Sequence, residues 1–128
     1  MAVSVIAYVI TRRGGSEITS ASGLRYTDIQ EGTGPTPERG QMLSVHYTGT
    51  LENGTKFDSS RDRGVPFEFQ YGVTPMIKGW DEGIRTMKVG GKRRLVIPPS
   101  LGYGPGGKPP DIPGNSTLVF EIELLGAK

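Results

Sequence analysis

The stretch Met42–Leu51 constrains this chain most. Leu43, Val45 and Tyr47 alternate with Ser44, His46 and Thr48, the period of a strand with one buried and one wetter face. Asn53-Gly54 follows, a strong signal for a tight two-residue hairpin. The return strand is expected over Thr55–Ser59. The chain must therefore build an antiparallel sheet with one apolar face, and something must cover that face.

The cover is legible further on. Ile77, Trp80, Ile84 and Met87 recur at steps of three, four and three, which is one face of a helix. Thr74 reads as its N-cap and Pro75 as its first helical residue, and the helix is expected to stop near Gly90-Gly91. The amides of Met76 and Ile77 then lack partners inside the helix. This short element carries the single tryptophan beside a free N–H, a pairing that suits an apolar ligand with one carbonyl. The alternative is that Trp80 is simply the core anchor. Gly79 and Gly83 each cost about 1 kcal/mol in a helix, so they imply close backbone packing against the sheet.

Further strands are expected at Leu24–Gln30, Phe67–Phe69, Lys92–Ile97 and Thr117–Leu125. The last alternates Leu118, Phe120, Ile122 and Leu124 with Glu121 and Glu123. Ser60–Pro66 reads as a charged loop, and Pro98–Ser116 as a long proline- and glycine-rich loop of the kind that carries function. Asp81, Glu82 and the run Lys92-Arg93-Arg94 read as solvated. The pattern predicts an α+β fold: a twisted antiparallel sheet of five to six strands wrapped around one short helix, with no βαβ alternation. Residues 1–22 are expected to be an extension and linker, and residues 23–128 the domain. Within the extension, the apolar Ala2–Ile10 reads as an added strand, a cloning scar or the remnant of a trimmed anchor. It is too short to span a bilayer.

Composition removes several function classes. With 128 residues and a formal charge of +2, one domain is expected and nucleic acid is not a partner. With no cysteine there is no disulfide, no Cys-ligated zinc and no Cys nucleophile. The one histidine, His46, sits mid-strand and reads as a structural group. Gly102–Lys108 is glycine-rich but lacks the phosphate-loop pattern, and no metal-ligand spacing is present. No cofactor and no metal are expected. What the chain has is aromatics: Phe 4, Trp 1 and Tyr 5. Tyr47, Phe57, Phe67, Trp80 and Phe120 fall where they can face the helix, which points to an apolar cleft between helix and sheet.

Val45-His46-Tyr47-Thr48-Gly49, the run from Lys56 through Phe57-Asp58-Ser59-Ser60 to Arg63, Ile77-Lys78-Gly79-Trp80, Tyr103-Gly104, Thr117-Leu118-Val119-Phe120 and Glu123-Leu124-Leu125 together resemble FKBP-type peptidyl-prolyl cis-trans isomerases. The blocks stand in the family's order from about Gly23 to Lys128. Ser22-Gly23-Leu24 and Pro98–Gly104 resemble bacterial and plastid-lumen members. The resemblance implies a fold that agrees with the one read from the residues. It implies Trp80 as the floor under a proline ring, with Tyr47, Phe67 and Phe120 as walls and Phe57 and Ile112 beside them. The Tyr103 hydroxyl and the Ile77 amide would bind carbonyls, with Met76 next to them. Asp58 would be the polar group at the pocket, held by Tyr47 or Arg63. Of these, Tyr47, Asp58, Trp80, Tyr103 and Phe120 are the expected catalytic set; Phe57, Arg63, Phe67, Met76, Ile77 and Ile112 are expected to bind substrate.

The resemblance implies rotation about X–Pro bonds in folding polypeptides, and binding of rapamycin-class macrolides. A module that only holds proline-containing partners is the alternative. A general holdase lacks the apolar insert it would need between Pro66 and Pro75. The implied mechanism needs no titrating group, so the rate is expected to vary little between about pH 6 and 8. Arg61, Arg63 and Lys108 are expected to favour acidic flanks. A monomer is expected, cytoplasmic as it stands, or periplasmic or in the thylakoid lumen if a targeting segment has been removed.

Overall fold

A computed structural model describes residues 16–128; the strand expected at Ala2–Ile10 lies outside the described residues. The strands are β1 (Ile18–Thr19), β2 (Arg25–Gln30), β3 (Met42–Leu51), β4 (Lys56–Ser59), β5 (Phe67–Gln70), β6 (Lys92–Ile97) and β7 (Leu118–Ala127). Two helices interrupt them, α1 (Ser60–Arg63) and α2 (Lys78–Ile84). The strands form one seven-stranded sheet in the order β1-β2-β6-β7-β3-β4, with β5 also paired to β3, and every pairing is antiparallel.

Strand β3 is the spine. One edge pairs with β7 along its whole length. The other edge is shared: Met42–Val45 pairs with β5, and Thr48–Thr50 with β4. The alternation read from the sequence holds, because Leu43, Val45 and Tyr47 are buried on β3 and Leu118, Phe120, Ile122 and Leu124 on β7. Leu95 and Ile97 of β6 complete that face.

Helix α2 lies on this face at very short range. A methyl group on Gly79 would stand 2.6 Å from Ile97, and one on Gly83 would stand 2.6 Å from Leu95. The glycines that weaken the helix thus allow its backbone to touch the sheet. The helix is shorter than the periodicity suggests. Its N-cap is Ile77 and not Thr74. Thr74 instead closes the turn after β5, accepting from the Gln70 amide at 2.9 Å and donating its own amide to the Gln70 carbonyl. Pro75 therefore belongs to the loop. At the other end α2 stops at Ile84, well before Gly90. Met87 still reaches the core, through a turn whose amide bonds to the Ile84 carbonyl at 2.9 Å.

Three charged segments differ from their reading in the sequence, one as a loop and two as solvated. Ser60–Arg63 is a helical turn, because Ser59 caps the Asp62 amide and Gly64 closes the end at φ 72°. Arg93 is buried on β6, an inner strand of the sheet. It bonds Asp28 at 2.7 Å, the Gly83 carbonyl at the end of α2 and the Thr86 hydroxyl, and stacks on Tyr26. Glu82 accepts hydrogen bonds from Ser20 and Ser22 at 2.6 Å each. Those serines lie between β1 and β2, so the segment read as linker adds the two-residue strand β1 and fastens it to α2.

Candidate functional site

The site is built where β3, β4, β5, α2 and β7 meet. Tyr47 follows Val45 on the buried face of β3. Gly49, two residues on, pairs with Asp58 of β4 and Phe120 of β7. A methyl group at Gly49 would come within 2.7 Å of both the Phe57 and Phe120 rings. Its absence lets those rings meet edge to face, 5.5 Å apart at 86°.

Trp80, 3% exposed, is the hub. Tyr47 approaches it at 5.1 Å, Phe120 at 5.4 Å and Phe67 at 6.2 Å, all near perpendicular. Phe69 lies behind, 5.9 Å from Trp80. Edge-to-face contacts of this kind add about 0.5–1.5 kcal/mol each beyond burial. They hold the rings in one arrangement around a cavity of about 690 Å³.

Nine of the residues named from the sequence line that cavity: Tyr47, Phe57, Asp58, Phe67, Met76, Ile77, Trp80, Tyr103 and Phe120. Two named residues stand elsewhere. Ile112 is 3% exposed in the core, not on the cavity wall. It exchanges two backbone hydrogen bonds with Lys108, at 2.8 and 3.0 Å, and so closes the tight turn that follows Lys108. Arg63 acts through its neighbours. Pro75, Lys78, Ser100, Gly102 and Lys108 also line the cavity. Ser100 and Gly102 carried no sequence signal beyond their place in the long loop.

The polar edge is a three-way network. Tyr47 Oη donates to Asp58 Oδ2 at 2.5 Å, Arg63 Nη1 donates to Asp58 Oδ1 at 2.6 Å, and Arg63 Nη2 donates to Tyr47 Oη at 3.0 Å. Both partners expected for Asp58 are thus engaged. Burial pushes the Asp58 carboxyl upward, but the bonds from Tyr47 and Arg63 outweigh it and hold the group below the ordinary carboxylate range. Burial and the bond to Asp58 push the Tyr47 phenol up against the opposing Arg63. Tyr47 therefore stays neutral and Asp58 ionised across neutral pH.

His46 points away from this network. Its Nδ1 lies 2.9 Å from the hydroxyl of buried Ser60, which accepts from the Tyr47 amide at 2.8 Å. It braces the backbone behind Tyr47. On the rim, the Ile77 amide donates to no acceptor among the described residues, while the Ile77 carbonyl accepts from Trp80 at 3.0 Å. An apolar cavity with a free backbone donor at its rim, one anchored carboxylate and, among the described lining residues, no activated nucleophile can hold and orient an apolar amide.

Comparison with known proteins agrees. Residues 34–125 match the family described as FKBP-type peptidyl-prolyl cis-trans isomerase. "FK506-binding protein 2" of Dictyostelium discoideum is 63% identical over 87 residues, 68% of this chain and 65% of that protein. The crystal structure of FkpA from Escherichia coli superposes with a TM-score of 0.82 at 46% identity, covering 88% of this chain and 51% of that one. The crystal structure of AtFKBP13 superposes at 0.83 with 44% identity, covering 88% and 99%. The chain thus spans less than two thirds of the first two proteins and nearly all of the third. Motif blocks, ring arrangement and these matches lead to one conclusion: the chain belongs to the FKBP-type peptidyl-prolyl cis-trans isomerase family.

Proposed function

We propose that this chain accelerates rotation about X–Pro peptide bonds in polypeptides, and so assists their folding, with the aromatic cavity as the catalytic site. The observation that carries the reading is the closure of Tyr47, Phe67 and Phe120 around Trp80 with the Ile77 amide free at the rim.

The chemistry follows from the amide bond. Its C–N bond has partial double-bond character and a rotational barrier of about 18–20 kcal/mol. The planar amide carries charge separation between oxygen and nitrogen, which water stabilises. The twisted transition state has lost much of it. Moving the bond into a dry aromatic cavity therefore costs the planar form more than the twisted one, which is differential binding. In this reading Trp80 supports the proline ring, and Tyr47, Phe67 and Phe120 exclude water beside Phe57 and Met76. The Ile77 amide and the Tyr103 hydroxyl each hold one substrate carbonyl. The Tyr47–Asp58–Arg63 network fixes the wall ring. No proton moves, which suits groups that keep one ionisation state through neutral pH.

The test is cis-trans exchange on short Leu-Pro and Phe-Pro peptides by NMR, with and without a rapamycin-class macrolide. The wild-type chain should catalyse exchange. The macrolide should abolish catalysis and change the Trp80 fluorescence. A wild-type rate no higher than that of a Trp80→Ala/Phe120→Ala variant would sink the enzyme and leave a module that only binds proline segments. An unchanged Trp80 spectrum under calorimetrically confirmed saturation would place the drug away from the tryptophan.

A further inference from the structure

The mouth of the aromatic cavity carries charge that bond rotation does not use. Lys78 follows Ile77 at the start of α2, and Lys108 lies on the loop bearing Tyr103. Both are exposed and both line the cavity. The Lys108 ammonium lies 5.5 Å from the centre of the Tyr103 ring. Neither lysine is within ion-pair distance of an acid among the described residues.

The two arginines expected to supply positive charge here are already taken. Arg61 bonds Glu123 at 2.6 Å, and Arg63 bonds Asp58 at 2.6 Å. Asp58 is the one acid among the described lining residues, and both its oxygens are held, by Arg63 and Tyr47. Arg63 and Asp58 therefore cancel. The rim is left with two ammonium groups that make no ion pair among the described residues, over a neutral aromatic floor. Long lysine stems can lie along such walls while their heads stay in water.

The positions of the two lysines relate them to the substrate. One stands next in sequence to the Ile77 amide, and the other beside the Tyr103 ring. A chain whose carbonyls engage these two donors runs close to both lysines. We infer that the site prefers X–Pro bonds flanked on both sides by carboxylate side chains, with Lys78 and Lys108 as the residues that set the preference. The inference rests on the isomerase reading above and adds the class of substrate. Exposed ion pairs are individually weak, so two of them should raise kcat/KM by about three- to tenfold over a neutral flank. Screening should remove most of that near 1 M salt, where the Debye length falls to about 3 Å.

The test uses two peptides that differ only in their flanks, Ala-Glu-Leu-Pro-Phe-Glu and Ala-Gln-Leu-Pro-Phe-Gln, and reads the ratio of their kcat/KM values by NMR exchange. The wild-type ratio should be about three to ten at low salt and approach one at high salt. In the Lys78→Glu/Lys108→Glu variant it should fall below one. Because each protein is its own reference, general weakening of the variant does not mimic the effect. A wild-type ratio near one at low salt, or a ratio that charge reversal leaves in place, overturns the inference while catalysis on the neutral peptide stands. Failure to catalyse exchange of the neutral peptide overturns the isomerase reading instead.

Discussion

Gly79→Ala separates helix propensity from packing. In an isolated helix the change gains about 1 kcal/mol. Here the new methyl group would stand 2.6, 2.7 and 2.8 Å from three Ile97 side-chain carbons. Ordinary contact begins at 3.4 Å, so helix and strand must separate by about 0.8 Å, the difference between 3.4 and 2.6. Overpacking of this size costs about 1–3 kcal/mol, which outweighs the propensity gain. The expected net loss is up to about 2 kcal/mol, read as a urea midpoint lowered by up to roughly 1 M. Trp80 is the next residue, so the same shift lifts the cavity floor. A misplacement near 1 Å can cost up to about a hundredfold in rate. Exchange activity should therefore fall further than stability alone requires under conditions where the variant is folded. The control is Ile97→Ala. In that background the clashing carbons are gone, and Gly79→Ala should turn stabilising by up to about 1 kcal/mol. A variant more stable than wild type with Ile97 intact would refute the close approach of α2 to β6.

Two further outcomes test the reinterpreted charges. Asp81 Oδ1 is buried with no hydrogen-bond partner among the described residues. Burial raises the carboxyl against the opposing charge of Arg39. A carboxyl raised by folding is tolerated when protonated and loses stability as pH climbs through its folded value, so Asp81→Asn should stabilise the protein at pH 7. The gain should vanish as pH falls below the ordinary Asp range near 3.9; a gain unchanged from pH 7 to pH 3 would show that desolvated charge is not the cause. Arg93→Met should cost about 1–3 kcal/mol in urea unfolding, since it leaves the Gly83 carbonyl and the Thr86 hydroxyl without their partner, while the half-exposed Asp28 can be solvated. Arg94→Ala, on an exposed neighbour, should stay within about 0.5 kcal/mol, and equal effects at the two positions would contradict the buried role of Arg93.

How much of this was legible in the sequence depends on whether local pattern or distant partners decide a residue's place. β3 and β7 were read correctly because a sheet with one buried face forces a period of two, and a slip of one residue would expose Tyr47 and Phe120 together. The cavity aromatics followed, since each sits on a face already assigned. Arg93 was not legible: nothing beside it in the chain shows that Asp28, Tyr26, Gly83 and Thr86 converge on it. Ile112 was expected at the pocket by resemblance alone; its place in the core goes with the local bridge to Lys108, which no period in that loop announces. The helix start is the more instructive miss. Thr74-Pro75 carries a genuine cap signal, but the Gln70 amide lies close enough to take the Thr74 hydroxyl first, and a side-chain oxygen spent on closing a strand cannot also cap a helix. The consequence falls on the site. With the helix beginning at Lys78, Pro75 and Met76 are free to line the cavity. The Ile77 amide also becomes that of the N-cap residue, which no side chain caps. The free donor at the rim thus depends on Thr74 being occupied elsewhere, and its chemistry is set by a turn that belongs to β5.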